Sequence, residues 1–119
     1  MSGTALTIHI DGTITRSEIG DGDRLAILRR EIGHASIEPI PFLDWLTLWV
    51  PADLEPSQIV PNPGAIAIVR AATGQPTHRV HGIVAVTGTL DGAVPRGLSD
   101  QEVETIIEWI GPVRSDSGS

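Results

Sequence analysis

The apolar residues of this chain come in short segments, each bounded by residues that form turns or that begin and end helices. Residues 4–10 alternate between apolar and polar, which predicts a half-buried strand with Leu6, Ile8 and Ile10 on its buried face. The Asp-Gly pair that follows is typical of a hairpin, as is a second pair at 91–92. The first pair predicts a turn, a returning strand and a loop at residues 11–12, 13–16 and 17–22.

Three helices are predicted from the residues at their ends. Asp23 is suited to an N-cap and Gly33 to the left-handed position that ends a helix. Asn62 followed by proline begins the second helix, and Ser99 in a capping box begins the third. The predicted helices cover residues 24–32, residues 63–72, and the segment from 99–102 to the Gly-Pro pair at 111–112. Residues 113–119 are polar, and we expect a frayed tail there.

Three further segments have strand patterns. Residues 36–40 contain one proline and precede another, which suits the edge of a sheet. Residues 45–50 alternate, and residues 80–88 are rich in β-branched side chains, so we expect a strand and a central strand there. The order of elements predicts one α+β domain over residues 1–112, with a mostly antiparallel sheet covered by about three short helices.

Composition limits the functional classes open to the chain. Its 119 residues, 40% of them hydrophobic, suit one folded domain. Cysteine is absent, which excludes disulfides, thiolate metal sites and a cysteine nucleophile, and which suits a cytoplasmic location. The formal net charge of -7 opposes a phosphate backbone and disfavours direct nucleic-acid binding. No segment reaches the roughly 20 apolar residues that a transmembrane helix needs, so we expect no membrane association.

No catalytic motif is present in the sequence, and the nearest candidates have simpler explanations. The Asp-Gly-Thr string at 11–13 matches a short pattern of aspartic proteases, but it is typical of a turn. His78 and His81 are spaced for a metal pair on a helix, whereas in a strand that spacing directs them to opposite faces. We therefore expect no catalytic residues, no metal and no cofactor, which favours a protein that is not an enzyme.

Two tryptophans in the predicted strand at 45–50 leave two alternatives open. Alternation places Trp45, Thr47 and Trp49 on one face of that strand. If a helix covers that face, these residues belong to the core. If the face is open, they form an apolar patch for a protein partner or for a second copy of the chain.

Two further hypotheses concern charge. Asn62, Arg79 and His81 are candidate ligand-binding residues, because a helix N-terminus with nearby cations attracts anions such as nucleotides. The last predicted helix carries only acidic charges between Ser99 and Pro112. Its acidic face is either solvated or an imitation of nucleic acid that occupies a groove on another protein.

Five segments in order resemble a family of small proteins of unknown function from actinobacteria, their phages and mobile elements. They are residues 28–33, Ile-Glu-Pro-Ile at 37–40, Leu-Thr-Leu-Trp-Val at 46–50, Pro-Asn-Pro-Gly-Ala at 61–65, and the glycine-containing strand at 81–88. The resemblance covers about residues 23–108 and includes no catalytic residues. It implies an accessory protein of a phage or mobile element that acts on host machinery or defence.

Together these observations favour a non-enzymatic accessory protein that acts by protein–protein interaction and self-associates through the tryptophan face. The alternatives are a small-ligand or nucleotide-binding protein and an acidic nucleic-acid mimic.

Overall fold

The computed structural model describes residues 3–20, 23–75, 80–91 and 94–118 of the chain. Within those ranges the strands are β1 (Gly3–Ile8), β2 (Ile14–Ile19), β3 (Ile37–Leu43), β4 (Leu46–Pro51), β5 (Val84–Thr87), β6 (Leu90–Asp91) and β7 (Val94–Pro95). The α-helices are α1 (Arg24–Ile32), α2 (Pro63–Thr73) and α3 (Asp100–Gly118), and Pro56–Gln58 form a short 3-10 helix. The predicted turn at 91–92 lies partly outside the described residues.

The main sheet has five strands in the order β2-β1-β5-β4-β3, and every neighbouring pair is antiparallel. Two hairpins, β1–β2 and β3–β4, therefore lie on either side of β5. A separate small hairpin joins β6 and β7. This arrangement confirms the prediction of an α+β fold with an antiparallel sheet.

Helices cover both faces of the main sheet. We call the side packed against α2 and α3 the two-helix face, and its core is aliphatic. Its buried side chains include Leu6, Ile8, Leu46, Leu48, Val84, Val86, Ile68, Ile106 and Ile110. We call the opposite side, packed against α1, the one-helix face. Its buried cluster consists of Ala5, Ile19, Leu28, Ile32, Trp49 and Ala85.

The prediction of a half-buried first strand is wrong. Ala5 and Thr7, on the face expected to be polar and solvated, are each 1% exposed. Ile10, expected to be buried, is 39% exposed because β1 ends at Ile8 and the turn begins beyond it. The strand is buried on both sides because helices lie on both faces of the sheet.

The three helix starts and the end of α1 agree with the predictions, and nearby residues stabilise each of them. The Asp23 carboxylate accepts a hydrogen bond from the Ala26 amide at 3.0 Å, and Gly33 ends α1 with φ 77°. At the start of α3, the Ser99 amide donates to the Glu102 carboxylate at 2.8 Å. The Glu102 amide donates in return to the Ser99 hydroxyl at 3.2 Å, which completes a capping box.

Three element boundaries differ from the predictions. Strand β2 continues to Ile19, where a loop was expected, because it pairs residue for residue with β1. Strand β5 begins at Val84 rather than at 80, after Gly82 with φ 70° interrupts the extended backbone. Helix α3 continues through residues 111–112 to Gly118, so the expected stop at the Gly-Pro pair is wrong, and the frayed tail stays a prediction. Proline has a helical φ, although inside a helix it removes one amide donor and crowds the carbonyl four residues earlier.

Candidate functional site

A groove lies where the ends of β3 and β4 meet the loop at residues 52–61, and we call it the His81 groove. It has a volume of about 490 Å³. Apolar side chains of Val50, Leu54 and Ile59 line it together with Glu38, Asp53, His81 and neighbouring residues. Two strands and the chain leading into β5 thus contribute to one concave surface.

Backbone hydrogen bonds hold the loop against the rest of the domain. The Ala52 amide donates to the Ser36 carbonyl at 2.8 Å, and the Ala52 carbonyl lies 2.7 Å from the His34 imidazole Nε2. At the other end of the loop, the Gly82 amide donates to the Val60 carbonyl at 2.8 Å. The loop is therefore anchored at both ends, so the groove is a formed feature of the fold.

Two adjacent apolar residues of this loop face solvent. Ile59 is 48% exposed and Val60 is 39% exposed. The carboxylates of Glu38 and Asp53 are also exposed and line the same groove. The groove thus combines a few apolar side chains, Ile59 among them, with two carboxylates, which suits an apolar side chain that has a cation beside it.

The sequence analysis missed Leu54, Asp53 and Ile59, because it assigned residues 52–61 to a proline-rich loop without a role. The available signal was the pair of large apolar residues at 59 and 60 within that loop, since a solvated connection rarely needs both. Asp53 is a second signal only in the structure, where its φ of 56° places a non-glycine residue in the left-handed region.

Of the three predicted ligand-binding residues, the structure describes Asn62 and His81. Asn62 is completely buried, and its amide nitrogen donates to the carbonyls of Ile8 and Gly82, each at 2.8 Å. Its oxygen accepts from the Ala65 amide at 3.1 Å, so both donors of this side chain are used and its burial keeps it from a ligand. Of the other two, His81 lines the groove and Arg79 lies outside the described residues.

Trp49 and Thr47 follow the core alternative rather than the open-face alternative, whereas Trp45 is half-buried. Trp49 is 3% exposed and belongs to the cluster under α1, and Thr47 on the same face is also buried. These two side chains are not available to a partner in this conformation. Helix α1 covers the face that a partner would have used.

The expectation that Trp45 shares a face with Thr47 and Trp49 is wrong. Strand β4 begins one residue later, at Leu46, and Trp45 lies in the turn after an irregularity in β3. Its ring contacts Trp109 of α3 at a centroid distance of 5.8 Å, and it packs against the two-helix cluster. The turn reverses the direction that strand alternation would have assigned to it.

A second depression, of about 560 Å³, lies beside Trp45. Arg24, Arg96, Asp44 and Glu102 also line it, so two cations and two carboxylates face the same space. Arg24 is held by the Gly20 and Pro95 carbonyls, each 2.7 Å away. The two carboxylates therefore oppose the attraction that the two cations would exert on an anion in this space.

His9 contributes to local structure. His9 Nε2 lies 3.1 Å from the Thr15 hydroxyl, across the first hairpin. Among the residues that the structure describes, which do not include His78, no group of three or more histidine or acidic side chains could hold a metal ion.

The Asp11 carboxylate belongs to the same hairpin turn. The Thr13 backbone amide donates to it at 2.9 Å, and hydrogen bonding to Thr13 lowers the pKa of Asp11 from its ordinary value. The Asp-Gly-Thr string is therefore a turn stabilised by its own aspartate, as predicted.

The acidic side chains that the structure describes in α3 divide into two groups. Asp100, Glu104 and Glu108 are exposed and lie four residues apart, on one side of the helix. Glu102 is half-buried and occupied in the capping box. Three carboxylates in line are a normal solvated face, and the nucleic-acid mimic stays a prediction.

Comparisons of the chain with known protein families, with curated proteins and with solved structures find no match. No helix within the described ranges is both long and apolar enough to cross a membrane.

Proposed function

We propose that this protein is a non-enzymatic accessory protein that binds a segment of another protein in the His81 groove. The observation that carries the proposal is the exposure of Ile59 and Val60 beside a formed groove. The family resemblance over residues 23–108 supplies the context, a phage or mobile element acting on host machinery in the cytoplasm. The surface differs from the tryptophan face expected from the sequence, because α1 covers that face.

The charges around the groove specify what kind of segment fits. Glu38 and Asp53 are exposed carboxylates on its rim, and the chain as a whole carries a net charge of -7. A partner with an apolar side chain flanked by lysine or arginine would complement both the apolar side chain of Ile59 and the two carboxylates. The field of the whole protein would also attract such a segment as it approaches.

The free energy of peptide binding would come mainly from covering a few apolar side chains. Ile59 already has about half of its surface covered, so covering the rest contributes about 1 kcal/mol. Val60 and the partner's own apolar side chain add comparable amounts. Affinity of this size suits a reversible interaction with a short peptide rather than a permanent complex.

The test uses fluorescence anisotropy with a set of synthetic 12-residue peptides, a length that spans about 40 Å when extended. Each has a central leucine or isoleucine flanked by lysine or arginine, and each has a matched peptide with glutamate at the basic positions. We expect the basic set to bind and the acidic set not to bind. Equal behaviour of the two sets would exclude the proposed partner chemistry.

A pair of variants locates the binding surface. Ile59→Asp should weaken peptide binding at least about tenfold, because it replaces the exposed apolar side chain of the groove by a carboxylate that the partner's apolar side chain would have to desolvate. Ile10→Asp is the matched control, since Ile10 is 39% exposed and lies at the tip of the first hairpin. If both variants bind the peptides as the unmodified protein does, the groove is not the site.

A second candidate function is binding of a nucleotide in the depression beside Trp45. The supporting observation is that Arg24 and Arg96 share this space with an aromatic ring. It ranks second because Asp44 and Glu102 line the same space and repel phosphate. A thermal-shift assay with ATP and GTP tests it: a rise in Tm that Arg96→Ala abolishes supports it, and no rise rejects it.

A further inference from the structure

The outer edge of β2 is an open strand edge. The Thr4 carbonyl accepts from Leu98 on the β5 side, so by alternation the amides and carbonyls of Gly3, Ala5 and Thr7 point to β2. Their partners on β2 are Ile19, Ser17 and Thr15. The backbone groups of the alternate residues, 14, 16 and 18, therefore point away from the sheet.

Strand β3, at the other edge, is closed to such pairing. The Ser36 carbonyl accepts from Ala52, so Glu38 and Ile40 direct their backbone groups towards β4. The residues that point outward include Pro39 and Pro41, which have no amide hydrogen. Prolines at these positions are a known means of blocking edge-to-edge association, and β2 contains none.

The side chains on the β2 edge are complementary to themselves. Arg16 and Glu18 are exposed, and in the described part of the chain neither side chain has a hydrogen-bond or ion-pair partner. In an antiparallel pair of two β2 strands related by a two-fold axis at Ser17, Arg16 of each copy lies opposite Glu18 of the other. Direct cross-strand neighbours of this kind have Cβ atoms about 5 Å apart.

We propose that two copies of the protein associate through β2, joining their five-stranded sheets into one continuous antiparallel sheet. Arg16 and Glu18 set the register, because a shift of the axis by one residue to Arg16 would place arginine opposite arginine. Residues 16 and 18 exchange backbone hydrogen bonds in this register, which satisfies the outward-pointing groups of the edge. The interface is small, so we expect a dissociation constant in the micromolar range.

The test is charge-reversal complementation followed by sedimentation velocity. Arg16→Glu and Glu18→Arg each create two like-charge pairs, and each alone should weaken dimerisation at least about tenfold. An equimolar mixture of the two single variants should form a heterodimer, because opposite charges then face each other again. The double variant R16E/E18R should dimerise as the unmodified protein does.

Backbone variants give an independent readout. Arg16→Pro removes an amide that points outward, so it should abolish dimerisation and leave a folded monomer. Ser17→Pro removes an amide that bonds to β1 and should instead lower the Tm of the monomer. If the unmodified protein sediments as a monomer up to about 1 mM, or if the mixed single variants do not recover the dimer, the proposal is overturned. The groove lies on other strands, so Arg16→Pro should bind the peptides as the unmodified protein does. Loss of the dimer and loss of peptide binding are therefore separate results, and either proposal can fail without the other.

Discussion

The two faces of the five-stranded sheet are buried by different means, although the same strands supply both. On the two-helix face, alternate residues such as Leu6, Leu48 and Val86 are aliphatic and pack against α2 and α3. On the one-helix face, the residues between them include Thr7 and Thr87, covered by a single nine-residue helix and its surroundings. The buried strand residues of the two-helix face are therefore aliphatic, whereas those of the one-helix face include hydroxyl groups.

Trp49 explains how the one-helix face tolerates part of this polarity. Its indole nitrogen donates a hydrogen bond to the Thr87 hydroxyl at 2.9 Å, within the buried layer. The Thr7 hydroxyl, in contrast, is buried without a hydrogen-bond partner among the described residues. The Trp49 side chain therefore offsets the cost of burying the Thr87 hydroxyl, to which it donates a hydrogen bond, but not the cost of burying the Thr7 hydroxyl.

The largest expected loss of stability is at the N-cap of α2, and the N-cap of α1, on the other side of the sheet, serves as the comparison. Asn62→Ala should lower the free energy of unfolding by about 3 kcal/mol, because it removes a cap and leaves two carbonyls near β1 without donors. Asp23→Ala, the matched variant at an exposed cap with one bond, should cost about 1 kcal/mol. Urea unfolding measures both, and equal losses would contradict the special role of the buried cap.

An intermediate effect is expected at the polar contact of the one-helix face. Thr87→Val should cost about 2 kcal/mol, because it leaves the Trp49 indole nitrogen buried without an acceptor. Thr87→Ser keeps the hydroxyl and should lose clearly less. Urea unfolding followed by tryptophan fluorescence reports both, and the idea fails if serine is as damaging as valine.

The smallest effect has the opposite sign. Thr7→Val replaces an unsatisfied buried hydroxyl by a methyl group of the same shape, so we expect a gain of about 0.5–1 kcal/mol in the free energy of unfolding. Thr15→Val, on the neighbouring strand, is the control: it removes only a solvent-exposed contact with His9 and should change stability little. A loss of stability in Thr7→Val would mean that the hydroxyl has a partner, such as a buried water molecule.

Features set by near neighbours in the chain were predictable from the sequence. Asp23, Asn62 and Ser99 begin helices because the amides they cap lie three residues ahead, and Gly33 ends one because it accepts a left-handed backbone. The prolines of β3 identified an edge strand for an equally local reason, since an amide hydrogen is missing. These interactions are complete within one turn of chain, so no distant partner alters them.

Only the tertiary structure decided which residues meet across long separations. The placement of β5 between β1 and β4 buries both faces of β1, and the groove brings Glu38, Ile59 and His81 together from three separate segments. The turn before β4 turned Trp45 away from Trp49, which no alternation rule predicts. Such contacts depend on how the helices cover the sheet, because burial of apolar surface is non-directional and is satisfied by the packing of the whole domain.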